Sequence, residues 1–168
     1  WLECPVAETP GTIPAIRRLR KLANDAGMRL AGCEELTGIE QNRPFAEAGA
    51  YDVMMPDVKY AGGVGEMMRL AAFFEGLDVA YSPHNPAGPI AHAASLHISA
   101  AVRRFDRLEV QFEESDLFWR LVGGGVPRFE GGYSVLPEGP GLGVTLDSDV
   151  LASVSGPVGD WSLAGAVP

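Results

Sequence analysis

Five polar residues that could act as acids, bases or metal ligands follow the apolar segments of this 168-residue sequence at regular intervals. They are Glu3, Glu34, Asp57, His84 and Glu109. Carboxylates are the ligands that hard divalent cations prefer, and a histidine beside a carboxylate is a common pair for general acid–base catalysis. The set therefore indicates metal-assisted or acid–base chemistry, provided that the fold brings these side chains to one place.

Asp57 and His84 form the most informative pair, because they are 27 residues apart, which is the length of one strand and one helix. This spacing places them at neighbouring strand ends, where a carboxylate bonded to one ring nitrogen would leave the other nitrogen free to act as a base. On its own, a histidine between prolines in SPHNP would be an ordinary turn residue. Lys59 is predicted to lie in the loop. His92 and His97 fall on different faces of a helix and are predicted to be packing or surface residues.

Apolar segments recur along the chain at the length of one strand–helix unit. They centre on Leu2, Leu30, Val53, Val79 and Leu108, which are separated by 28, 23, 26 and 29 residues. Helical patterns lie between them, in the segments TIPAIRRLRKLANDAG (Thr12 as N-cap and Gly27 as C-cap), IEQNRPFAEAG, VGEMMRLAAFFEG and PIAHAASLHISAAV. Alternating strands and helices predict an α/β fold with a parallel sheet. Spacing leaves an open sheet and a barrel both possible, but an acid or base closing each strand favours a (β/α) barrel, whose active site lies at that end.

The sequence changes character after the fifth apolar segment. DLFWRLVGGG predicts a short helix that runs into a glycine stop, and FEGGYSVLPEGPGLGVTLD is rich in turn residues. Residues 153–168 are small and poorly patterned. We therefore predict one domain over residues 1–152 and a flexible tail over residues 153–168.

Composition limits the classes of partner. Hydrophobic residues make up 46% and charged residues 21% of the chain, which suits one ordinary core. The net charge of −9 argues against non-specific binding to nucleic acids or anionic membranes, so small solutes are the expected partners. The only cysteines, Cys4 and Cys33, provide no disulfide framework and are interpreted as small core residues. Their scarcity predicts a cytoplasmic protein.

The segments WLECP, GCEELTG, MMPDVKYAGGV, YSPHNPAGPIAHAASLH and RLEVQ resemble, in their order and spacing, the successive strand ends of the mandelate racemase group of the enolase superfamily. This group includes acid-sugar dehydratases of the galactonate type. The resemblance covers residues 1–147. It implies that the chain is the C-terminal part, strands four to eight, of a modified (β/α)7β TIM-type barrel. The first three strands and the N-terminal capping domain are expected to be missing from this sequence.

The resemblance implies a Mg²⁺ site formed by Glu3 and Glu34. Cys4 replaces the second acid that usually follows the first ligand, and Cys33 stands where the family often has glycine. Glu35 competes with Glu34 for the second position, but neighbours on a strand point to opposite sides, and the spacing to the next motif selects Glu34. A further metal ligand and the general acid for the leaving hydroxyl are expected upstream.

The other three residues receive catalytic roles from the same resemblance. His84 is the expected base, and Asp57 orients it. Asp57 lies five residues before Gly62, which indicates the His/Asp subgroup rather than the subgroup that uses a lysine base. Glu109 is expected to be a carboxylic acid, protonated because of burial and nearby acids, that hydrogen-bonds the substrate carboxylate as this becomes an enediolate.

These expectations together predict a Mg²⁺-dependent lyase that removes the proton α to a carboxylate and dehydrates a sugar acid to a 2-keto-3-deoxy acid in carbohydrate acid catabolism. One alternative is a racemase or epimerase of a 2-hydroxy acid that uses the same enediolate chemistry. The other is a non-catalytic fragment with exposed sheet edges. The full-length protein is expected to be a homo-oligomer and to bind neither nucleic acid nor membrane.

Overall fold

A computed structural model of the chain describes residues 1–111, 114–124 and 128–154. Its centre is a parallel sheet of four strands in sequential order, namely β1 (Leu2–Glu3), β2 (Leu30–Gly32), β3 (Val53–Met54) and β4 (Ala80–Tyr81). Because every strand pairs in parallel with the next, the carboxyl ends of all four lie at one edge. The predicted α/β class is confirmed, and the described residues form an open barrel segment.

Helices connect the strands as the hydrophobic periodicity predicts. They are α1 (Ile13–Asp25), α2 (Gly38–Glu47), α3 (Val58–Ala61), α4 (Gly63–Gly76) and α5 (Pro89–Ala101). Thr12 is the N-cap of α1, as predicted, and is also the last residue of a 3-10 turn over Pro10–Thr12. The predicted C-cap is wrong by one residue, because Ala26 is the C-cap of α1 and Gly27 follows it with a φ of +76°, a left-handed conformation that favours glycine. The four long helices are therefore confirmed, and α3 is a short addition.

The fifth predicted strand, centred on Leu108, is wrong in its extent. The chain after α5 does run beside β4, but its β-structure is a single parallel bridge between Tyr81 and Phe105. The Tyr81 amide donates to the Arg104 carbonyl (3.2 Å), and the Asp106 amide donates to the Tyr81 carbonyl (2.8 Å). In the described residues this segment pairs with β4 alone, so the hydrogen-bond ladder that would extend a strand to Leu108 does not form.

The core lies between the sheet and its helices. Leu30, Met54 and Tyr81 point to this side, where they pack with a larger set of buried residues that includes Ile16, Phe45, Met67, Leu70 and Phe74. A smaller cluster of Ala31, Val53 and Met55 occupies the opposite face of the sheet. Because successive strand residues alternate between the two faces, this second cluster marks the side that faces the axis in a barrel.

The C-terminal part is built from short antiparallel pairs. Its elements are α6 (Leu117–Arg120), β5 (Val122–Gly124), β6 (Arg128–Glu130), β7 (Tyr133–Val135), β8 (Thr145–Leu146) and α7 (Ser148–Val154). β5 pairs with β8, and β6 pairs with β7 in a hairpin. The glycine run that was predicted to end the short helix does follow α6, but part of it belongs to strand β5.

The predicted flexible tail begins inside α7, whose last two residues are Ser153 and Val154. The remainder of that prediction, residues 155–168, lies outside the described residues. In the part of the chain that the structure describes, no helix is long and apolar enough to cross a membrane.

Candidate active site

Four of the five predicted site residues lie at the carboxyl edge of the parallel sheet. Glu3 is the last residue of β1, and Glu34 follows the end of β2 by two residues. Asp57 and His84 each follow their strands, β3 and β4, by three residues. The parallel topology therefore places all four at one edge of the sheet.

Asp57 and His84 are in direct contact. The Nδ1 atom of His84 is 3.0 Å from Oδ2 of Asp57. The Asp57 side chain is 1% exposed and that of His84 is 12% exposed, so water competes little for this hydrogen bond. Asp57 is also the N-cap of α3 and accepts a hydrogen bond from the Lys59 amide at Oδ1 (2.7 Å). The start of α3 thus orients the Asp57 carboxylate, and this carboxylate in turn orients the His84 imidazole.

The second ring nitrogen of His84 faces Glu34, another of the predicted site residues. Nε2 is 3.4 Å from Oε2 of Glu34. Burial lowers the pKa of His84, but the hydrogen bond to Asp57 and the negative charge of Glu34 outweigh burial and hold the pKa above its ordinary value. The charge of Glu109 acts in the same direction. His84 is therefore a stronger base than a free imidazole.

The pKa of Asp57 moves the opposite way. Burial raises this pKa, but the hydrogen bonds from His84 and from the Lys59 amide, together with the charge of Lys59, outweigh burial and hold it below the ordinary value. Asp57 is thus held as a carboxylate, which is the form that can stabilise an imidazolium.

Lys59 was predicted to lie in the loop, and that prediction is wrong. It lies in α3, and its Nζ is 3.3 Å from Oδ2 of Asp57, the same oxygen that contacts His84. The sequence signal that could have revealed this is the N-cap position of Asp57, because a helix that starts there brings the residue two positions later back towards the carboxylate.

The two cysteines lie at successive strand ends in left-handed conformations. Cys4 has a φ of +38° and Cys33 a φ of +73°, which explains why the second position suits glycine. Sγ of Cys4 lies 3.5 Å from Oε2 of Glu34 and donates to it. Burial, followed by the charges of Glu8 and Glu34, raises the pKa of the Cys4 thiol. Cys4 is therefore a neutral thiol that donates a hydrogen bond to Glu34.

Glu8 supports this edge of the sheet, although sequence reasoning missed it. Its Oε1 accepts hydrogen bonds from the Cys33 amide (2.6 Å) and the Tyr51 hydroxyl (2.8 Å). A Cβ atom added to Gly32 would lie 2.4 Å from the same oxygen. The only sequence signal for this close packing is the glycine at the end of β2.

Glu3 and Glu34 are the candidate metal ligands. They end adjacent parallel strands, and the described contact of Glu3 is a hydrogen bond from Trp1 Nε1 to its Oε2 (3.1 Å). Carboxylate oxygens suit Mg²⁺, so the donor chemistry fits. Over the described ranges, however, no three His, Cys, Asp or Glu side chains are grouped so that they could hold a metal. Glu3 and Glu34 thus have the right chemistry for ligands, but the described residues do not group them with a third ligand of these types.

Glu109 lies in the segment beside β4 and is held by Asn85 rather than by a strand. The backbone amide of Asn85 donates to Oε2 of Glu109 (3.0 Å), and the side-chain Nδ2 of Asn85 donates to the Glu109 backbone carbonyl (2.9 Å). Its predicted role as an acid stays a prediction. Asn85 was also missed, because nothing in SPHNP distinguishes a buried asparagine from a turn residue.

Parallel strands joined by helices, with an acid or base after each strand, define a segment of a (β/α) barrel whose active site lies at the carboxyl ends of its strands. A family described as Enolase C-terminal domain-like matches residues 1–150. The chain belongs to this family, and the predicted resemblance to the mandelate racemase group is confirmed.

Similar proteins include D-galactonate dehydratases of Ralstonia pickettii and Klebsiella pneumoniae, each 32% identical over 146 residues that span 84% of this chain and 38% of the relative. Among solved structures, a mandelate racemase/muconate lactonizing enzyme-like protein from Roseovarius sp. TM1035 is similar, with a TM-score of 0.80, 31% identity and coverage of 91% of this chain and 37% of that chain. A mandelate racemase/muconate lactonizing enzyme from Jannaschia sp. CCS1 gives a TM-score of 0.77 at 27% identity, with the same coverage.

The chain spans about 38% of the length of the curated relatives it matches. Its similarity to only this share of the barrel enzymes confirms the predicted C-terminal barrel segment.

Proposed function

We propose that this chain is the C-terminal part of a Mg²⁺-dependent lyase that dehydrates a sugar acid to a 2-keto-3-deoxy acid. The longer protein that would contain it is called the full-length protein below. The observation that carries the proposal is the position of His84, whose ring lies between Asp57 (3.0 Å) and Glu34 (3.4 Å) at the carboxyl edge of the sheet.

The first step is removal of the proton α to the substrate carboxylate. His84 Nδ1 is occupied by Asp57, so Nε2 is the atom that accepts the proton. The C–H electrons move into the carboxylate and form an enediolate, and the imidazolium is stabilised by the Asp57 carboxylate. The raised pKa of His84 makes this transfer easier.

The enediolate needs stabilisation because a carbon acid of this kind is far weaker than an imidazolium. In this proposal Glu109, held by the backbone amide of Asn85, is protonated in the complex with substrate and donates a hydrogen bond to one enediolate oxygen. Glu3 and Glu34 would help to hold Mg²⁺, which when bound would supply positive charge that stabilises the enediolate. Cys4 keeps Glu34 oriented through its thiol.

Two outcomes are possible for the enediolate. Loss of a β-hydroxyl, protonated by a general acid outside this chain, gives the enol of a 2-keto-3-deoxy acid. Reprotonation at the α-carbon gives racemisation or epimerisation. The names of the sequence relatives, D-galactonate dehydratases, favour dehydration, and the names of the similar structures keep racemisation as the second candidate.

The 168-residue chain by itself is expected to be inactive. Mg²⁺ dehydrates reluctantly and requires near-octahedral oxygen ligands, and two carboxylates would leave most of its coordination to water. In this proposal the remaining ligand and the general acid belong to the rest of the full-length protein.

A screen of sugar acids, beginning with galactonate, tests the proposal. The full-length protein with Mg²⁺ should form a 2-keto-3-deoxy acid from at least one of them, measured by a colorimetric assay for that product. Polarimetry of the same reactions detects racemisation instead. A folded full-length protein that yields neither product nor α-proton exchange with any acid sugar or 2-hydroxy acid would contradict it.

A further inference from the structure

A chain of buried and partly buried hydrogen bonds runs from Glu109 to the β6–β7 hairpin. Asn85 contacts Glu109 through both its backbone amide and its side chain. The same Nδ2 atom is 2.8 Å from Nδ1 of His92, and Nε2 of His92 is 3.3 Å from Oγ of Ser134. Asn85 is 1% exposed and His92 is fully buried, so the contact between these two side chains is shielded from water.

These contacts fix the orientation of the side-chain amide of Asn85. The Glu109 carbonyl can only accept hydrogen bonds, so the atom 2.9 Å from it must be the amide nitrogen. That nitrogen is also the donor to His92. In the described residues Oδ1 of Asn85 is buried without a hydrogen-bond partner, which indicates that the two Nδ2 contacts determine the rotamer.

The same contacts fix the tautomer of His92. Because Asn85 Nδ2 donates, Nδ1 of His92 must be unprotonated, and its proton lies on Nε2, where it donates to Ser134. Burial lowers the pKa of His92 to about 4, so the ring stays neutral. Phe118 and Phe129 pack against it in T-shaped arrangements, at centroid distances of 5.8 Å each.

We propose that Asn85 is a positioning residue for Glu109, and that the neutral imidazole of His92 holds Asn85 in the required rotamer. This inference rests on the proposed function, in which Glu109 stabilises the enediolate. The packing of α5 against the β6–β7 hairpin thereby sets the direction of the Glu109 carboxyl group, which lies in an irregular segment.

Two pairs of variants in the full-length protein test this inference. Asn85→Leu removes both side-chain donors, and Ser95→Ala is its matched control, because Ser95 is a buried α5 residue whose hydroxyl lacks a partner within the described part. His92→Leu removes the acceptor for Asn85, whereas His92→Asn retains an acceptor near the position of Nδ1. Exchange of the substrate α-proton for solvent deuterium is measured together with KM, Mg²⁺ affinity and the melting temperature.

We expect Asn85→Leu and His92→Leu to lower the exchange rate at saturating substrate by about 10²-fold, the usual cost of a misplaced catalytic group. Mg²⁺ affinity should be unchanged. His92→Asn should recover most of the rate, and Ser95→Ala should match the wild type. In a selectively ¹⁵N-labelled protein, the His92 signals should show an unprotonated Nδ1 and a protonated Nε2.

Two results would overturn the inference while leaving the proposed function intact. One is an exchange rate in folded Asn85→Leu that equals the wild-type rate. The other is a His92 ring with its proton on Nδ1. If the wild type itself catalyses neither exchange nor formation of a 2-keto-3-deoxy acid, it is the proposed function that fails, and the ¹⁵N measurement still decides the tautomer.

Discussion

The parallel sheet of residues 1–101 and the antiparallel pairs of residues 117–154 differ in how their strands are covered. β2 and β3 are fully buried, and their polar residues come after the strand ends. β6, β7 and β8 are exposed or half-buried, with polar residues along their length. Where both faces of a sheet are covered, the strand ends are the places at which polar side chains can reach solvent, and this concentrates the chemistry there.

The largest expected difference between the two regions is in catalysis. Asp57→Asn in the full-length protein keeps the shape of the side chain but removes the charge that stabilises a protonated His84, and it disturbs the tautomer. We expect turnover to fall by about 10²–10⁴-fold. Asp149→Asn, at an exposed site in α7, is the control and should leave turnover unchanged. Similar losses in both variants would show that the two regions do not differ in this way.

Stability should differ in the same direction. Phe74 in α4 is fully buried in the core, whereas Tyr133 in β7 is 79% exposed. Phe74→Ala should lower the free energy of unfolding by about 3–5 kcal/mol, and Tyr133→Ala should change it by less than about 0.5 kcal/mol. Urea denaturation of the full-length variants measures both. Equal losses would mean that the hairpin is part of a core as important as that of the sheet.

Two glycines sharpen the comparison within the parallel sheet region. A Cβ at Gly32 would lie 2.4 Å from Glu8 and 2.7 Å from the ring of Tyr51, whereas a Cβ at Gly65 in α4 would meet nothing within 4 Å. Gly32→Ala should therefore cost about 1–3 kcal/mol, and Gly65→Ala should stabilise the protein by about 0.4–1 kcal/mol. Thermal unfolding distinguishes the signs, and a neutral Gly32→Ala would contradict the close packing at the end of β2.

The smallest expected effect is a pH dependence at the opposite edge of the sheet. Burial raises the pKa of Asp52, but a hydrogen bond from the Leu30 amide outweighs it with the help of Asn24 and Arg20, so the pKa lies below its ordinary value. The unfolded chain then binds a proton more readily than the folded one. The stabilisation is fully present above the unfolded pKa of about 3.9 and is lost as the pH falls through the folded pKa.

Urea midpoints measured between pH 3 and 6 for the wild type and Asp52→Asn test this effect. The stability difference between them should be constant at the upper end of the range and shrink at the acid end. A difference that grows as the pH falls would contradict the assigned direction of the pKa shift.

The sequence predicted the long helices and the first four strands well, because period and spacing report burial directly. It failed at the segment around Leu108, since whether a strand forms there depends on a neighbour that the periodicity of the segment does not show. The approach of Asp57 to His84 was predicted from their 27-residue spacing in a strand–helix repeat, and the family resemblance supported it. Lys59, Glu8 and Asn85 could not be found in the same way, because their contacts depend on local turns and rotamers.

The central claim is that His84 removes a proton from the α-carbon of a carboxylate substrate. Its most direct test is exchange of that proton for deuterium in D₂O, followed by NMR, in full-length wild type and His84→Asn with Mg²⁺ and a sugar acid that the wild type turns over. The wild type should exchange the α-proton for deuterium or convert the sugar acid to product. His84→Asn should do neither, while binding Mg²⁺ with unchanged affinity. Exchange that survives in His84→Asn would contradict the assignment of the base.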